Sequence, residues 1–384
     1  MKFKDALTTV RKHGLALVAE KSHNVRLVAV GRKETGALAG ATQFCVTAYV
    51  DQKLTSKQMK ARGIEAFDSV YSAVLEKKKP SKTEIDVVES PGAFRPRAGL
   101  KVPQAQRGLY GGNPPVLNAQ KPFDALRCGI GITNPTGEYP GRISVGTAGF
   151  YMEDDNGNLY VVSNNHVIGR ANDAVLGESI VQPGTLDLTS IELQLMPTLN
   201  SLVATLEIAS VLATVPLQFM TAANTPSNRV DAAIGQLLQT NRTLDDLDRL
   251  TFGGVIRSMA SPYTVDSSGA LQGSTRVYKV GRTTGYTEGN VTGLAGVSTI
   301  SYDDSSSDKD AHFVDQIVVE ATRDNVGPFS DSGDSGSGVE NDRHELAGLL
   351  FAGNKFHTLV NPIADVMSEL RIATGIPSLR VITG

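Results

Sequence analysis

Cysteine, histidine and net charge are all scarce in this 384-residue chain, and each shortage narrows what the protein can be. The two cysteines, Cys45 and Cys128, lie far apart in apolar settings, which suits buried free thiols rather than a disulfide framework. The six histidines are scattered, with no HExxH and no Cys/His ligand spacing, so neither a structural metal nor a cofactor is expected. A formal net charge of −3 leaves no basic excess to neutralise phosphates, so nucleic acid is not an expected partner. Long apolar runs are missing as well. No stretch reaches the length of a membrane span, and Asp5, Arg11, Lys12 and Glu20 interrupt the first twenty residues, so no signal-peptide core is read there. The expected setting is the cytoplasm, away from membranes.

What is present is ordinary globular composition, with 40% hydrophobic and 20% charged residues over a length that suits two or three cores. Residues 1–90 read as a small α/β domain. Phe3, Leu7, Val10, Leu17 and Val18 recur at helical spacing, "NVRLVAVG" and "FCVTAYV" are strand-like, Phe67, Val70, Tyr71 and Val74 share a helix face, and "TEIDVVES" returns as a strand. The order is α-β-β-α-β. Residues 91–125 are rich in proline and glycine without a sustained period and read as a linker draped over a surface. From 126 to 384 the texture is mainly β, with short strands between turn clusters such as "EDDNGN" and "SYDDSSSDKD", and a helical pattern only at about 362–374. The stretch 190–223 suits helix or strand equally.

Within this β region "SGDSGSG", residues 332–338, has the composition of a flexible linker. A core-type strand, "ELAGLLFAG", follows within a few residues, however, so the glycines lie between structured elements. Gly333 and Gly336 around Ser335 are what a tight turn requires if successive backbone N–H groups are to converge on one point. A serine nucleophile also needs a base within reach and a carboxylate to orient that base. His166 leaves an apolar strand in "YVVSNNHVIG", and Asp231 stands at a polar-to-apolar boundary in "NRVDAAIGQL". Taken singly, each has a bland reading as a packing, turn or surface residue.

Together, "NNHV", "DAAI", "VYKVGRTTGYTEGNVTG" and "GDSGSGV", in that order, resemble the trypsin-like (chymotrypsin-fold) serine peptidases, over roughly residues 126–366. The resemblance implies a chymotrypsin-like pair of six-stranded β-barrels, the first at about 126–245 and the second at about 250–365, with the small α/β domain preceding them. It implies Ser335 as nucleophile, His166 as general base, Asp231 as the group holding the imidazole, and the N–H groups of Gly333 and Ser335 as the oxyanion hole. Asp187 and Asp173 stand as alternative partners for the histidine. By the same resemblance Phe329, six residues before the serine, is the floor of the primary pocket and favours an apolar or small residue before the scissile bond, with Asp331 as the alternative acid there. Phe351, Ala352 and Gly353 would pair the substrate backbone as an added strand. Asp334 would order the site, paired with Lys279 or, as second candidate, Arg282, without proteolytic maturation.

The chain departs from the pattern in two places. Asn164 and Asn165 replace the small residues before the histidine, and Tyr278 and Glu288 stand where secreted bacterial members carry cysteines, which fits a reducing compartment. The function implied is a serine endopeptidase acting on a protein or peptide, with residues 1–90 positioning substrates or a protein partner or covering the cleft. A serine esterase using the same triad, and a non-catalytic peptide-binding or scaffolding protein on the same fold, remain the alternatives.

Overall fold

In the computed structural model the first apolar helix runs from Phe3 to Val18 and buries Phe3, Ala6, Val10, Gly14 and Leu17 along one face. The structure describes residues 1–18, 24–33, 38–76, 80–81, 83–96, 120, 125–136, 145–238, 243–244, 256–302, 309–322 and 327–383. Most of the 91–125 linker, from 97 to 119 and from 121 to 124, lies outside them. After the helix, strands Val25–Gly31 and Cys45–Val50 pair antiparallel. Strand Ile85–Glu89 joins Cys45–Val50 in parallel, through a crossover containing helices Ser56–Arg62 and Phe67–Val74. The shorter of these, absent from the sequence reading, is set by a capping box between Thr55 and Gln58 and stopped by left-handed Gly63.

These N-terminal strands share a sheet with the β-rich remainder. The free edge of Val25–Gly31 pairs antiparallel with the 17-residue strand Gly285–Ser301, from Leu27 opposite Ser298 to Gly31 opposite Gly293. The first helix lies across the same strand, and a Cβ on Gly14 would sit 2.7 Å from Val297 Cγ2, so glycine permits the approach. One apolar cluster accordingly joins Phe3, Val10, Val28 and Phe44 to Leu294, Val297, Ile317 and Val339. Gly285–Ser301 forms a long hairpin with Asp310–Ala321, and its register slips at several points around Gly293, Ala295 and Gly296. Such bulges bend a strand too long to stay flat.

From this hairpin the ladders run Asp310–Ala321, His357–Pro362, Glu345–Gly353, Gly338–Asn341, Arg276–Gly281 and back to Gly285–Ser301. A second sheet of six strands has the order Ser179–Val181, Glu207–Thr214, Ala233–Leu237, Leu159–Ser163, Phe150–Glu153, Arg380–Val381. Its end strands do not pair with each other among the described residues. Of the two implied six-stranded barrels, the second corresponds to the circuit of six ladders, with the N-terminal strands added along Gly285–Ser301, and the first corresponds to the open six-stranded sheet. The ambiguous 190–223 stretch resolves into helices Ser190–Leu195 and Leu199–Leu206 followed by strand Glu207–Thr214. Helix Ile363–Thr374 buries Ile363, Val366, Met367 and Leu370 and ends at left-handed Gly375.

Cys45 and Cys128 are buried and free. Among the described residues no helix is long and apolar enough to cross a membrane, and no three His, Cys, Asp or Glu side chains gather as a metal site.

Candidate active site

Strand register brings the histidine and its carboxylate together. Ser163 pairs with Ala233, so the residues just past one strand end and just before the other, His166 and Asp231, meet at the same edge of the open sheet. His166 opens the one-turn helix Asn165–Ile168, and its Nδ1 lies 2.6 Å from Asp231 Oδ2. The His166 backbone N–H donates to Asp231 Oδ1 at 3.2 Å. The main chain of Asp231 is held from both sides, since Asn164 Nδ2 donates to its carbonyl at 2.7 Å and its N–H donates to Asn361 Oδ1 at 3.0 Å. Asn165 ties the same corner down by donating to Val215 O and Asn172 Oδ1. The two asparagines that break the family pattern thus serve as braces here.

Ser335 sits on a turn pressed against the open sheet. Gly333 and Gly336 have φ of 104° and 92°, and a Cβ on Gly336 would collide with Ser163 Oγ and the Thr147 carbonyl. Thr147 clasps the turn, donating its N–H to Ser335 O at 2.7 Å and its hydroxyl to Gly333 O at 2.8 Å. The N–H groups of Asp334, Gly336 and Ser337 are engaged by Asp331 O, Leu350 O and Asp334 O. Those of Gly333 and Ser335 donate to no acceptor among the described residues. Ser335 Oγ donates to Phe351 O at 3.2 Å, while the buried His166 Nε2 has no hydrogen-bond partner. Serine and histidine therefore do not hydrogen-bond to each other.

Asp334 is buried on the far side of that turn. It accepts from the N–H groups of Thr283, Thr284 and Asp331 and from Thr284 Oγ1, and Lys279 Nζ lies 3.5 Å from its Oδ2. Burial would raise the carboxyl, but the Lys279 charge and these donors outweigh it and hold it below the ordinary carboxylate range. Arg282 does not share this role. Its guanidinium engages Asp187, which removes both Arg282 as a partner of Asp334 and Asp187 as a partner of His166. Asp173 pairs with Lys309 instead.

The residues expected to bind substrate lie as follows. Phe329 is buried in the apolar cluster with Val277, Val319 and Val339, and its ring centroid lies 5.9 Å from Lys279 Nζ, so the turn's own cation flanks it. The edge at Ala352 and Gly353 is already paired, antiparallel, with Pro96 and Arg95 of the chain itself. Phe94 anchors that segment in a cluster with Tyr49, Phe351 and Leu359, and Ser335 itself is 0% exposed. Tyr302 was missed altogether. Its hydroxyl donates to Asp231 Oδ2 at 2.7 Å, and its ring meets His166 edge to face with centroids 5.7 Å apart. Burial and the adjacent Asp231 charge push the phenol well above its ordinary value, so it stays a donor.

No family model matches the sequence, and none of the curated proteins is recognisably related to it in sequence. Among solved structures the chain is similar to protease A of Thermobifida fusca, at 13% identity and a TM-score of 0.40 over 68% of this chain and 100% of that one. It is also similar to a Cellulomonas bogoriensis chymotrypsin, at 17% identity and 0.38 over 68% and 100%. The active form of the Mycobacterium tuberculosis protease Rv3671c gives 13% and 0.33 over 64% and 80%. At such TM-scores the likeness carries neither fold nor activity, and the case rests on this chain's own residues.

Proposed function

We propose that the chain is a trypsin-like serine endopeptidase built on two β-barrels. The observations that carry the reading are the buried His166–Asp231 pair and a glycine-flanked serine turn with two unengaged N–H groups. Rotation about the Ser335 Cα–Cβ bond would release Oγ from Phe351 O and offer its proton to the unpartnered His166 Nε2. Oγ then attacks the acyl carbon, and the oxyanion develops against the N–H groups of Gly333 and Ser335, each such donor being worth about 2.7–4 kcal/mol elsewhere. His166 returns the proton to the leaving amine, and water hydrolyses the acyl-enzyme by the same steps.

A peptide rather than a simple ester is favoured because the Ala352–Gly353 edge takes an extended strand, as the chain's own Arg95–Pro96 segment does. That segment and a substrate would compete for one ladder, so it must leave before turnover. The Lys279 ammonium beside Phe329 supports an apolar or small residue before the scissile bond, since a second cation there would be repelled. The two free thiols fit a cytoplasmic setting.

A fluorophosphonate probe tests the reading on the full chain. Labelling should depend on Ser335 and His166 and should quicken in Phe94→Ala, where the covering segment loses its anchor. Equal labelling of Ser335→Ala would sink the assignment, and a cleavage profile dominated by Lys or Arg would sink the specificity. A protein that binds peptides at the Ala352–Gly353 edge yet never labels, even with Phe94→Ala, would be the scaffolding alternative.

A further inference from the structure

Asp231 presents an electrostatic problem that the triad alone does not solve. Its carboxylate is fully buried, and a buried carboxylate needs a cation or a full set of donors to stay ionised. Among the described residues its only ion-pair partner is His166, which is charged only once it has taken a proton. Apart from that imidazole and one backbone N–H, the sole remaining donor on the carboxylate among the described residues is the Tyr302 hydroxyl.

On the reading of function above, we infer that Tyr302 is a positioning residue, whose hydroxyl holds the Asp231 carboxylate in the orientation that aligns His166 with Ser335. A ring serving only as packing would have no reason to aim its hydroxyl at Oδ2, the same oxygen that receives His166 Nδ1. The ring is fixed on three sides, edge to face with Phe219 and His166 and tilted against Phe313. Its backbone closes the base of the hairpin tip through Tyr302 N–H to Lys309 O at 3.0 Å. Beside it, Met220 N–H donates to Asp310 O, and Lys309 pairs with Asp173 across to the open sheet. Further back, strand Val25–Gly31 and the first helix clamp the hairpin strand that ends one residue before Tyr302. The N-terminal region thereby braces the element that delivers the phenol, which gives those residues work at the site without touching it.

The test uses the full chain carrying Tyr302→Phe, which keeps the ring and removes only the hydroxyl. Loss of a hydrogen bond to a charged group should slow the bond-forming step of fluorophosphonate labelling about ten- to a hundred-fold. The probe concentration for half-maximal rate should hold, because the substitution keeps the ring and removes only the hydroxyl aimed at Asp231. The proton NMR resonance of His166 Nδ1–H should also move. Phe219→Leu, which loosens the packing and keeps the hydroxyl, should label at close to the wild-type rate with that resonance in place. An unmoved resonance with wild-type labelling in Tyr302→Phe overturns the inference, as does an equal loss in Phe219→Leu. If neither the wild type nor Phe94→Ala labels, the peptidase reading falls, whereas a shifted resonance in Tyr302→Phe still supports the positioning role.

Discussion

Two buried carboxylates flank Ser335, one in each β region, and they are stabilised by different means. Asp334, in the serine turn, has its compensation built in, with three backbone N–H groups, the Thr284 hydroxyl and the Lys279 amine 3.5 Å away. Asp231, at the edge of the open sheet, has a backbone N–H, a phenol and an imidazole. The difference matters for catalysis. A cation fixed beside Asp231 would satisfy it equally before and during reaction and so would not lower the barrier. On the proposed reading, a histidine that takes the serine proton would make the ion pair strongest in the transition state. Asp334 would then shape the turn, and Asp231 would gain its cation only as the proton moves.

The sharpest way to break this contrast is to neutralise each acid in turn. Asp231→Asn should lower turnover by about 10⁴ with little change in stability, because the amide offers His166 a donor where it needs an acceptor and selects the wrong tautomer. Chemical denaturation alongside single-turnover labelling would read both quantities. A silent Asp231→Asn would show that the histidine does not rely on this carboxylate. Lys279→Met addresses the other acid and should act first on stability, since it leaves Asp334 buried and unpaired at a cost of about 3–5 kcal/mol. An unchanged denaturation midpoint would mean that the turn amides and Thr284 suffice without the cation.

Such a contrast was only half legible in the sequence. His166, Asp231 and Ser335 could be read because each chemistry demands a local shape, namely a strand end, a polar-to-apolar boundary and a glycine-flanked turn. Lys279 could be placed near Asp334 from its spacing to the GRTTG turn, whereas Arg282, three residues on, turns across to Asp187, an ion pair 95 residues apart in sequence that no spacing announces. Phe329 was assigned by its offset from the serine, and an offset does not say whether a ring faces a cleft or a core. Tyr302 was hidden by its own neighbourhood, because "SYDDSSSDKD" has the composition of a solvated turn. The pairing of Val25–Gly31 with a strand some 270 residues later was equally hidden, since sheet edges join through backbone groups common to every residue. What sequence pattern conveys well is the local shape around each residue, and what it conveys poorly is which distant surface comes to meet it.

The smallest expected effect concerns a third buried titratable group, one that stays neutral. His357 shares a hydrogen bond with Ser90 Oγ at 2.8 Å and meets the Tyr49 ring edge to face at 4.8 Å. Burial alone pushes its pKa down to about 4. In the unfolded chain the same imidazole titrates near about 6.5. Between those values the unfolded state binds the proton and the folded state does not, so stability falls as pH drops from about 6.5 towards about 4 and levels off below. The integrated loss is about 3 kcal/mol. Asp334 works in a separate window. Its depressed pKa gives stability that is complete above the ordinary carboxylate value and is lost only as pH falls below about 3.9 towards its folded value. Denaturation midpoints measured from pH 7 to pH 3 should therefore decline in two steps, and His357→Gln should flatten the upper step and spare the lower. Ser90 also accepts from Asn354 Nδ2, which donates to Gly92 O just before the segment covering the Ala352–Gly353 edge. A His357→Gln curve that keeps the full upper slope would move the acid sensitivity to other groups and leave this seam uninvolved.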